Sequence, residues 1–235
     1  MRLVCRVRAA NERFFPEHQE AKQDRTHSVA DWATVEDQLD SARYINGRTQ
    51  HGSLLGRAIL RALLVKYTHT DVCILERDAR GKLLTKDAYG MKGPDVSLSH
   101  TRGMVIGAVS LAGPIGIDVE THRPRAFNQI ANIGFGPTER ARVLEGGLAE
   151  FYRVWTLREA IAKATGDGLT MAMDGTDRIA NESPETVWRQ RFGAQDWLLG
   201  HFYPASGISA AAACILDDGA TSNITMTWVD LEGST

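Results

Sequence analysis

Four side chains in two short motifs have the types and spacing to do chemistry. Asp118 and Glu120 stand in Gly116-Ile117-Asp118-Val119-Glu120, and Glu159 and Lys163 in Trp155-Thr156-Leu157-Arg158-Glu159-Ala160-Ile161-Ala162-Lys163. The first motif alternates as a strand does, with Ile117 and Val119 on one face and Asp118 and Glu120 on the other. The second has helical spacing, so Trp155, Glu159 and Lys163 share a face at i, i+4. Packed together, the two elements gather Asp118, Glu120 and Glu159 beside an ammonium. Oxygen donors of this kind suit a hard divalent cation that also holds a phosphate. Like charges two apart on one strand face repel and Asp is a poor strand former, which favours a cation between Asp118 and Glu120. The bland alternatives are a solvent-facing strand edge and an exposed Glu159–Lys163 pair contributing only about 0.3–0.5 kcal/mol. Trp155 on the same helix face argues for a cleft instead, because Trp is usually at least partly buried. Trp155 itself reads as packing.

These motifs need elements to position them. Residues 2–8 read as a strand with Leu3, Cys5 and Val7 inward, and 9–46 as a loop-rich stretch with one short helix. Leu54, Leu55, Ala58, Ile59, Ala62 and Leu63 repeat at helical spacing within 48–67. A hairpin is expected over 72–85, turning at Asp78-Ala79-Arg80-Gly81, and two strands over 95–111, flanking His100-Thr101-Arg102-Gly103. Gly113-Pro114 is a turn, followed by the strand at 115–120. Pro137 opens a helix over 137–145. A longer helix runs from Leu148 to Thr165 and is capped by Gly166-Asp167-Gly168. Residues 168–215 read as strands, with the small apolar run Ser209–Ile215 as a buried central one. The polar tail from Asp217 reads two ways, as partly disordered or as adding an edge strand over 224–229.

The 235 residues suffice for one large domain or two small ones. A hydrophobic fraction of 43%, a charged fraction of 24% and a net charge of -2 describe a globular chain with no bulk affinity for nucleic acid. Cys5, Cys73 and Cys214 are scattered and odd in number, as reduced thiols of a cytoplasmic protein are. Arginines interrupt the first residues, which excludes a signal-peptide core, and no run approaches a membrane span.

The ordered set of motifs resembles the 4'-phosphopantetheinyl transferases of the Sfp type. That family carries a Gly-(Ile/Val)-Asp-x-Glu strand and, further on, a Trp-(Ser/Thr/Cys)-x-Lys-Glu-(Ala/Ser)-x-x-Lys helix. Upstream it has a Ser-His pair, matched by Ser99-His100, and a Gly-Lys turn, matched by Gly81-Lys82. The resemblance runs from about Leu54 to Cys214. Two positions depart from it: Arg158 stands where the family has lysine, and Leu83 where it has proline.

The resemblance implies an α+β fold of two similar subdomains about a pseudo-twofold axis, 1–112 and 113–235, with the active site in the cleft between them. It implies transfer of the phosphopantetheine arm of coenzyme A to a serine of an apo acyl or peptidyl carrier protein, in fatty-acid or secondary-metabolite synthesis. Mg²⁺, or Mn²⁺ in its place, would be held by Asp118, Glu120 and Glu159. Glu159, Lys163 and Asp118 would be catalytic, with Glu159 open between metal-side carboxylate and base for the attacking hydroxyl. Coenzyme A would be bound by Lys82, Ser99, His100, Arg61, Arg48 and Lys163. A buried structural role is the alternative for His100, and a solvated surface charge for Arg48. Ser99-His100 is no nucleophile–base pair, since strand neighbours face opposite sides. Phe135 is an exposed anchor for the carrier or part of the core, and Arg140, Arg142 and Arg153 are candidate docking charges. Two halves in one chain imply a monomer, without nucleic-acid or membrane partners. Two other classes remain open: a non-catalytic binder of coenzyme A or carriers, and a different Mg²⁺-dependent phosphoryl enzyme.

Overall fold

Short stretches of period-2 alternation and two long helices account for most of the chain. The computed structural model describes residues 2–9, 32–45, 47–68, 74–168, 172–179, 187–216 and 222–229. In chain order the elements are β1 (Arg2–Ala9), α1 (Val35–Ser41), α2 (Gly47–Thr68), β2 (Ile74–Arg77), β3 (Leu83–Lys86), β4 (Asp95–Thr101), β5 (Met104–Ser110) and β6 (Ile115–Thr121). There follow α3 (Phe127–Gly134), α4 (Pro137–Thr165), β7 (Val187–Phe192), β8 (Gln195–Ala205), β9 (Ile208–Leu216) and β10 (Ser222–Val229). Helix and sheet are mixed, as an α+β fold requires.

One four-stranded sheet has the order β10-β1-β5-β4 and the other β6-β9-β8-β7, with β2 and β3 forming a separate hairpin. The strand near 224–229 is therefore present, at a sheet edge. Its partner is β1, so the sheet begun by residues 1–112 is completed by residues 222–229. The side chains of β1, the expected inward set Leu3, Cys5 and Val7 among them, lie outside the described residues, as does Cys73. Cys214 is a buried free thiol.

Burial explains the layering. Val105 and Val109 of β5 pack with Ile59, Leu60 and Leu63 of α2. Met104, Ile106 and Ala108, on the opposite face of β5, pack with Ile117 and Val119 of β6 and Ala210 and Ala212 of β9. Ala211 and Ala213, on the far face of β9, pack with Leu157, Ala160 and Ile161 of α4. The order is helix, sheet, sheet, helix. β9 lies between β6 and β8 as the buried central strand its composition predicts.

The two helices anticipated at 137–145 and 148–165 are present as the two arms of α4, which break at Gly147, whose φ of 65° and ψ of -145° are non-helical. Helix α3 was not anticipated, and 172–179 lies between α4 and β7, outside any strand. The C-cap holds: Gly166 is left-handed, with φ 78°. Among the described residues no helix is long and apolar enough to cross a membrane.

Candidate active site

The edges of the two sheets meet at β4 and β6, and side chains rather than backbone join them. Asp95, Ser97, Ser99 and Thr101 each accept a hydrogen bond from the backbone N–H of Ile115, Ile117, Val119 and Thr121 respectively, at 3.0, 3.1, 3.3 and 3.2 Å. Each bond spans 20 residues of sequence. The ladder has the strand period of two, because only alternate side chains of β4 point at β6. It satisfies the N–H groups of an otherwise open strand edge. It also fixes Ser99 beside Asp118.

Asp118 is 5% exposed. Its Oδ1 accepts from the Ser99 hydroxyl at 2.8 Å and from Lys163 Nζ at 2.7 Å, and Lys163 also donates to Ser99 Oγ at 3.1 Å. Three elements thus meet at one carboxylate oxygen. Gly116, two residues earlier, makes the approach of β6 to α4 feasible. A Cβ at Gly116 would lie 1.9 Å from the backbone oxygen of Ala160 and 2.5 Å from the amide of Ala164.

Burial, then the charge of Asp118, push Glu120 above its ordinary carboxylate range, with Arg125, Lys163 and Arg123 pulling the other way. Burial and Asp118 likewise raise Glu159, against Lys163. Burial and the Lys163 ammonium hold His100 below the usual imidazole value, against Asp118. Each shift reflects a charge taken from water beside others. Among the described residues no group of three or more His, Cys, Asp and Glu side chains is arranged to hold a metal ion. Two observations still fit a hard divalent cation. Asp118 Oδ2 is buried without a hydrogen-bond partner among the described residues. Glu120 and Glu159 both carry charge that Asp118 opposes, which a cation would relieve.

A cavity of about 240 Å³ opens onto this group, lined by Arg80, Lys82, Ser97, His100, Glu159 and Lys163 among others. Lys82 donates to the Ala164 carbonyl at 2.7 Å and pairs with Asp95 at 3.1 Å, which ties the β2–β3 turn to the C-terminal end of α4. Arg80 pairs with Asp167 at 3.4 Å across the same junction.

Of the residues expected from sequence, Asp118, Ser99 and Lys163 are in direct contact. Glu159, His100 and Lys82 line the cavity with Lys163, and Glu120 lies within electrostatic reach of Asp118. Arg61 does not join them: its guanidinium is engaged by Asp37, with Nε 2.5 Å from Oδ2. Asp37 is fully buried and also pairs with Arg57 at 3.0 Å, so Arg61 serves the α1–α2 packing. Arg48 falls in the first turn of α2, and its side chain lies outside the described residues.

Three further expectations are corrected or decided. Phe135 is 1% exposed and stacks on Phe151, so it is core rather than an exposed anchor. Trp155 packs in the same cluster. Arg153 is fully buried against Glu150, and Arg142 is held by Glu150 and the Ile179 carbonyl. Buried or engaged in this way, neither is a docking charge.

Arg158, in the lysine position of the motif, faces away from the cavity. Its guanidinium donates to the carbonyls of Ala172 (2.6 Å), Thr176 (2.8 Å) and Gly134 (3.1 Å), to Glu139 (2.7 Å) and to Asp174 (3.0 Å). A lysine has neither the donors nor the planar fork to make this set. The β4 ladder was missed from sequence, although its signal is visible: Asp95-x-Ser97-x-Ser99-x-Thr101 puts short hydrogen-bonding side chains at every second strand position.

Comparison with known proteins agrees with this geometry. A family model described as the 4'-phosphopantetheinyl transferase superfamily matches residues 114–215. The 4'-phosphopantetheinyl transferase HetI of Nostoc sp. strain PCC 7120 is 36% identical over 165 residues, 67% of this chain and 68% of that protein. The 4'-phosphopantetheinyl transferase ffp of Bacillus subtilis is 25% identical over 176 residues, 69% of this chain and 76% of that protein. The 4'-phosphopantetheinyl transferase Sfp of Bacillus subtilis strain 168 is 29% identical over 140 residues, 56% of this chain and 59% of that protein. Similarity of this extent leads to one conclusion: the chain belongs to the 4'-phosphopantetheinyl transferase superfamily.

Proposed function

We propose that this protein moves the 4'-phosphopantetheine arm of coenzyme A onto a serine hydroxyl of an apo acyl or peptidyl carrier protein and releases 3',5'-ADP. The observation that carries the reading is the contact of Asp118 with both Ser99 and Lys163, at the wall of a cavity rich in cations.

The residues divide the work as follows. Lys82, His100 and Lys163 face the cavity and bind the phosphates of coenzyme A. Arg61, committed to Asp37, takes no part. Ser99 holds Asp118 and Lys163 in register through its hydroxyl. Asp118, with Glu120 and Glu159 beside it, would hold Mg²⁺ or Mn²⁺. The ion, when bound, neutralises charge on the pyrophosphate oxygens. Glu159, which lines the cavity beside Lys163, is the base. It takes the serine proton as the serine oxygen bonds to the β-phosphorus and the bond to 3',5'-ADP breaks. Lys163 faces the charge that grows on the transferring group. Residues 1–112 and 113–235 act as two subdomains that both contribute to the site, which favours a monomer, and the scattered cysteines favour the cytoplasm.

The test is the intact mass of apo carrier proteins incubated with the protein, coenzyme A and Mg²⁺, with and without EDTA. A gain of one phosphopantetheine, abolished by EDTA, is expected. No gain on acyl, peptidyl or aryl carriers, from protein that still binds coenzyme A, would leave a non-catalytic binder.

A further inference from the structure

The β2–β3 turn that carries Lys82 is locked within itself. Asp78 Oδ1 accepts the backbone N–H groups of Arg80 and Lys82, each at 2.9 Å, and the Gly81 N–H donates to the Asp78 carbonyl at 2.9 Å. Gly81 supplies the left-handed corner, with φ 87°. A turn closed in this way moves as one body, so contacts from outside it decide where the Lys82 ammonium stands. On one side Lys82 bonds the Ala164 carbonyl of α4 and pairs with Asp95 of β4, and the exposed Arg80 pairs with Asp167. On the α1 side the contact is made by Arg77.

Arg77 is the last residue of β2. Its Nε donates to Asp40 Oδ2 at 3.3 Å, one terminal nitrogen donates to the Gly81 carbonyl at 2.8 Å, and the other donates to the Tyr44 hydroxyl at 3.4 Å. The planar fork therefore bridges α1 and the turn. Asp40 is itself held. Its Oδ2 also accepts from Arg57 Nε at 3.1 Å, and Arg57, 1% exposed, donates further to Asp37 and to the Leu75 carbonyl of β2. A carboxylate shared by two guanidinium groups and largely withdrawn from water is a stiff anchor, because charge-assisted bonds strengthen as water is excluded. Arg77, Tyr44, Gly81 and Lys82 all line the first cavity. A line of contacts thus runs from an ion network between the helices to the cavity assigned to the phosphates of coenzyme A. What marks Arg77 as a strut is the direction of its fork: it joins that anchored carboxylate to the backbone of the turn that presents Lys82.

We infer that Arg77, anchored by Asp40, is a positioning residue: it fixes the Gly81-Lys82 turn so that Lys82 faces the cavity, and it acts on coenzyme A through Lys82 rather than by contact. This rests on the transferase reading above.

Calorimetric titration of the full chain with coenzyme A and Mg²⁺, without a carrier protein, tests it, beside steady-state kinetics with one. Arg77→Lys keeps the charge but can make only part of the set of bonds. It should weaken coenzyme A binding and raise its KM by about fivefold or more, with kcat within about twofold of the wild type. On a Lys82→Met background the same change should have little further effect, because the group it positions is gone. Asp40→Asn should weaken binding in the same direction, and it takes the place of Arg77→Lys should that variant be misfolded by circular dichroism. Tighter binding in Asp40→Asn would mean that Arg77, once released, meets the phosphates itself. Full additivity with Lys82→Met would make Arg77 an independent ligand, and a lower Tm with unchanged binding would make it purely structural. Each of these results overturns the inference and leaves the transferase reading intact. Wild-type protein that binds no coenzyme A and modifies no carrier would overturn both.

Discussion

Lys163 Nζ lies 2.7 Å from Asp118 Oδ1, and the Ser99 hydroxyl bonds to both. One ammonium on α4, one carboxylate on β6 and one hydroxyl on β4 thus lock three elements at the point where the phosphates are expected. Asp118→Asn keeps the shape and removes the charge. Transfer should fall by roughly 100- to 1,000-fold, with a far-ultraviolet spectrum like that of the wild type. Retained activity in a folded Asp118→Asn protein would sink the assignment.

Lys163→Met leaves a carboxylate that is 5% exposed without its cation. The cost in unfolding free energy should be about 1–3 kcal/mol by denaturant titration, toward the low end because the lysine side chain is itself 32% exposed. Phosphate binding should weaken in the same variant, read as a higher KM for coenzyme A.

Glu120 and Glu159 bear on pH and metal. Both have raised pKa values in the folded chain, so folding favours their protonated forms. The stability they contribute is present at low pH and is lost as pH rises from the ordinary carboxylate value through the folded one. A divalent cation binds the ionised forms and reverses that loss. The rise in Tm on adding Mg²⁺ should therefore be larger near pH 7 than near pH 5, and should vanish in Asp118→Asn. A Tm shift independent of pH would argue against these carboxylates as ligands.

Arg158 predicts stability rather than chemistry. Arg158→Lys keeps the charge but loses the fork that ties Gly134, Glu139, Ala172, Asp174 and Thr176 together. Unfolding free energy should drop by at least about 2 kcal/mol, while kcat below the melting range stays near that of the wild type. A large loss of kcat with unchanged stability would return this position to the active site.

Asp174, one of Arg158's partners, gives an acid signature. Burial opposes its ionisation, but hydrogen bonds from Arg178 and Thr176 outweigh that and pull its pKa from 3.8 down to about 2. The stability it contributes is present above the unfolded value and is lost as pH falls through the folded one. Unfolding followed between pH 3.8 and about 2 should show that loss in the wild type and a flatter profile in Asp174→Asn.

Gly116→Ala should destabilise the chain by about 1–3 kcal/mol or more and lower activity with it. The added Cβ meets backbone of α4, which cannot yield as a flexible side chain would. A variant as stable as the wild type would show that β6 and α4 can separate without cost.

Much of the site was legible from residue order alone. The alternation of Ile117, Asp118, Val119 and Glu120, the helical spacing of Glu159 and Lys163, the Pro137 start and the Gly166 cap are local signals. Strand pleat and helix pitch set them within a few residues, so they survive whatever the rest of the chain does. The family resemblance came from the same local motifs in order.

What tertiary structure alone decided depends on contacts between residues far apart in sequence. That Arg61 belongs to Asp37, that Arg158 faces a loop and not the cavity, that Phe135 and Arg153 are buried, and that β10 pairs with β1 are outcomes of packing. A charged side chain reads the same in sequence whether it meets solvent, a substrate or a buried partner. Only the geometry of the folded chain determines which of these desolvates it. The ladder from β4 to β6 shows both levels at once: its four hydrogen-bonding side chains stand in plain alternation, but their partners lie 20 residues away and exist only because two sheet edges meet.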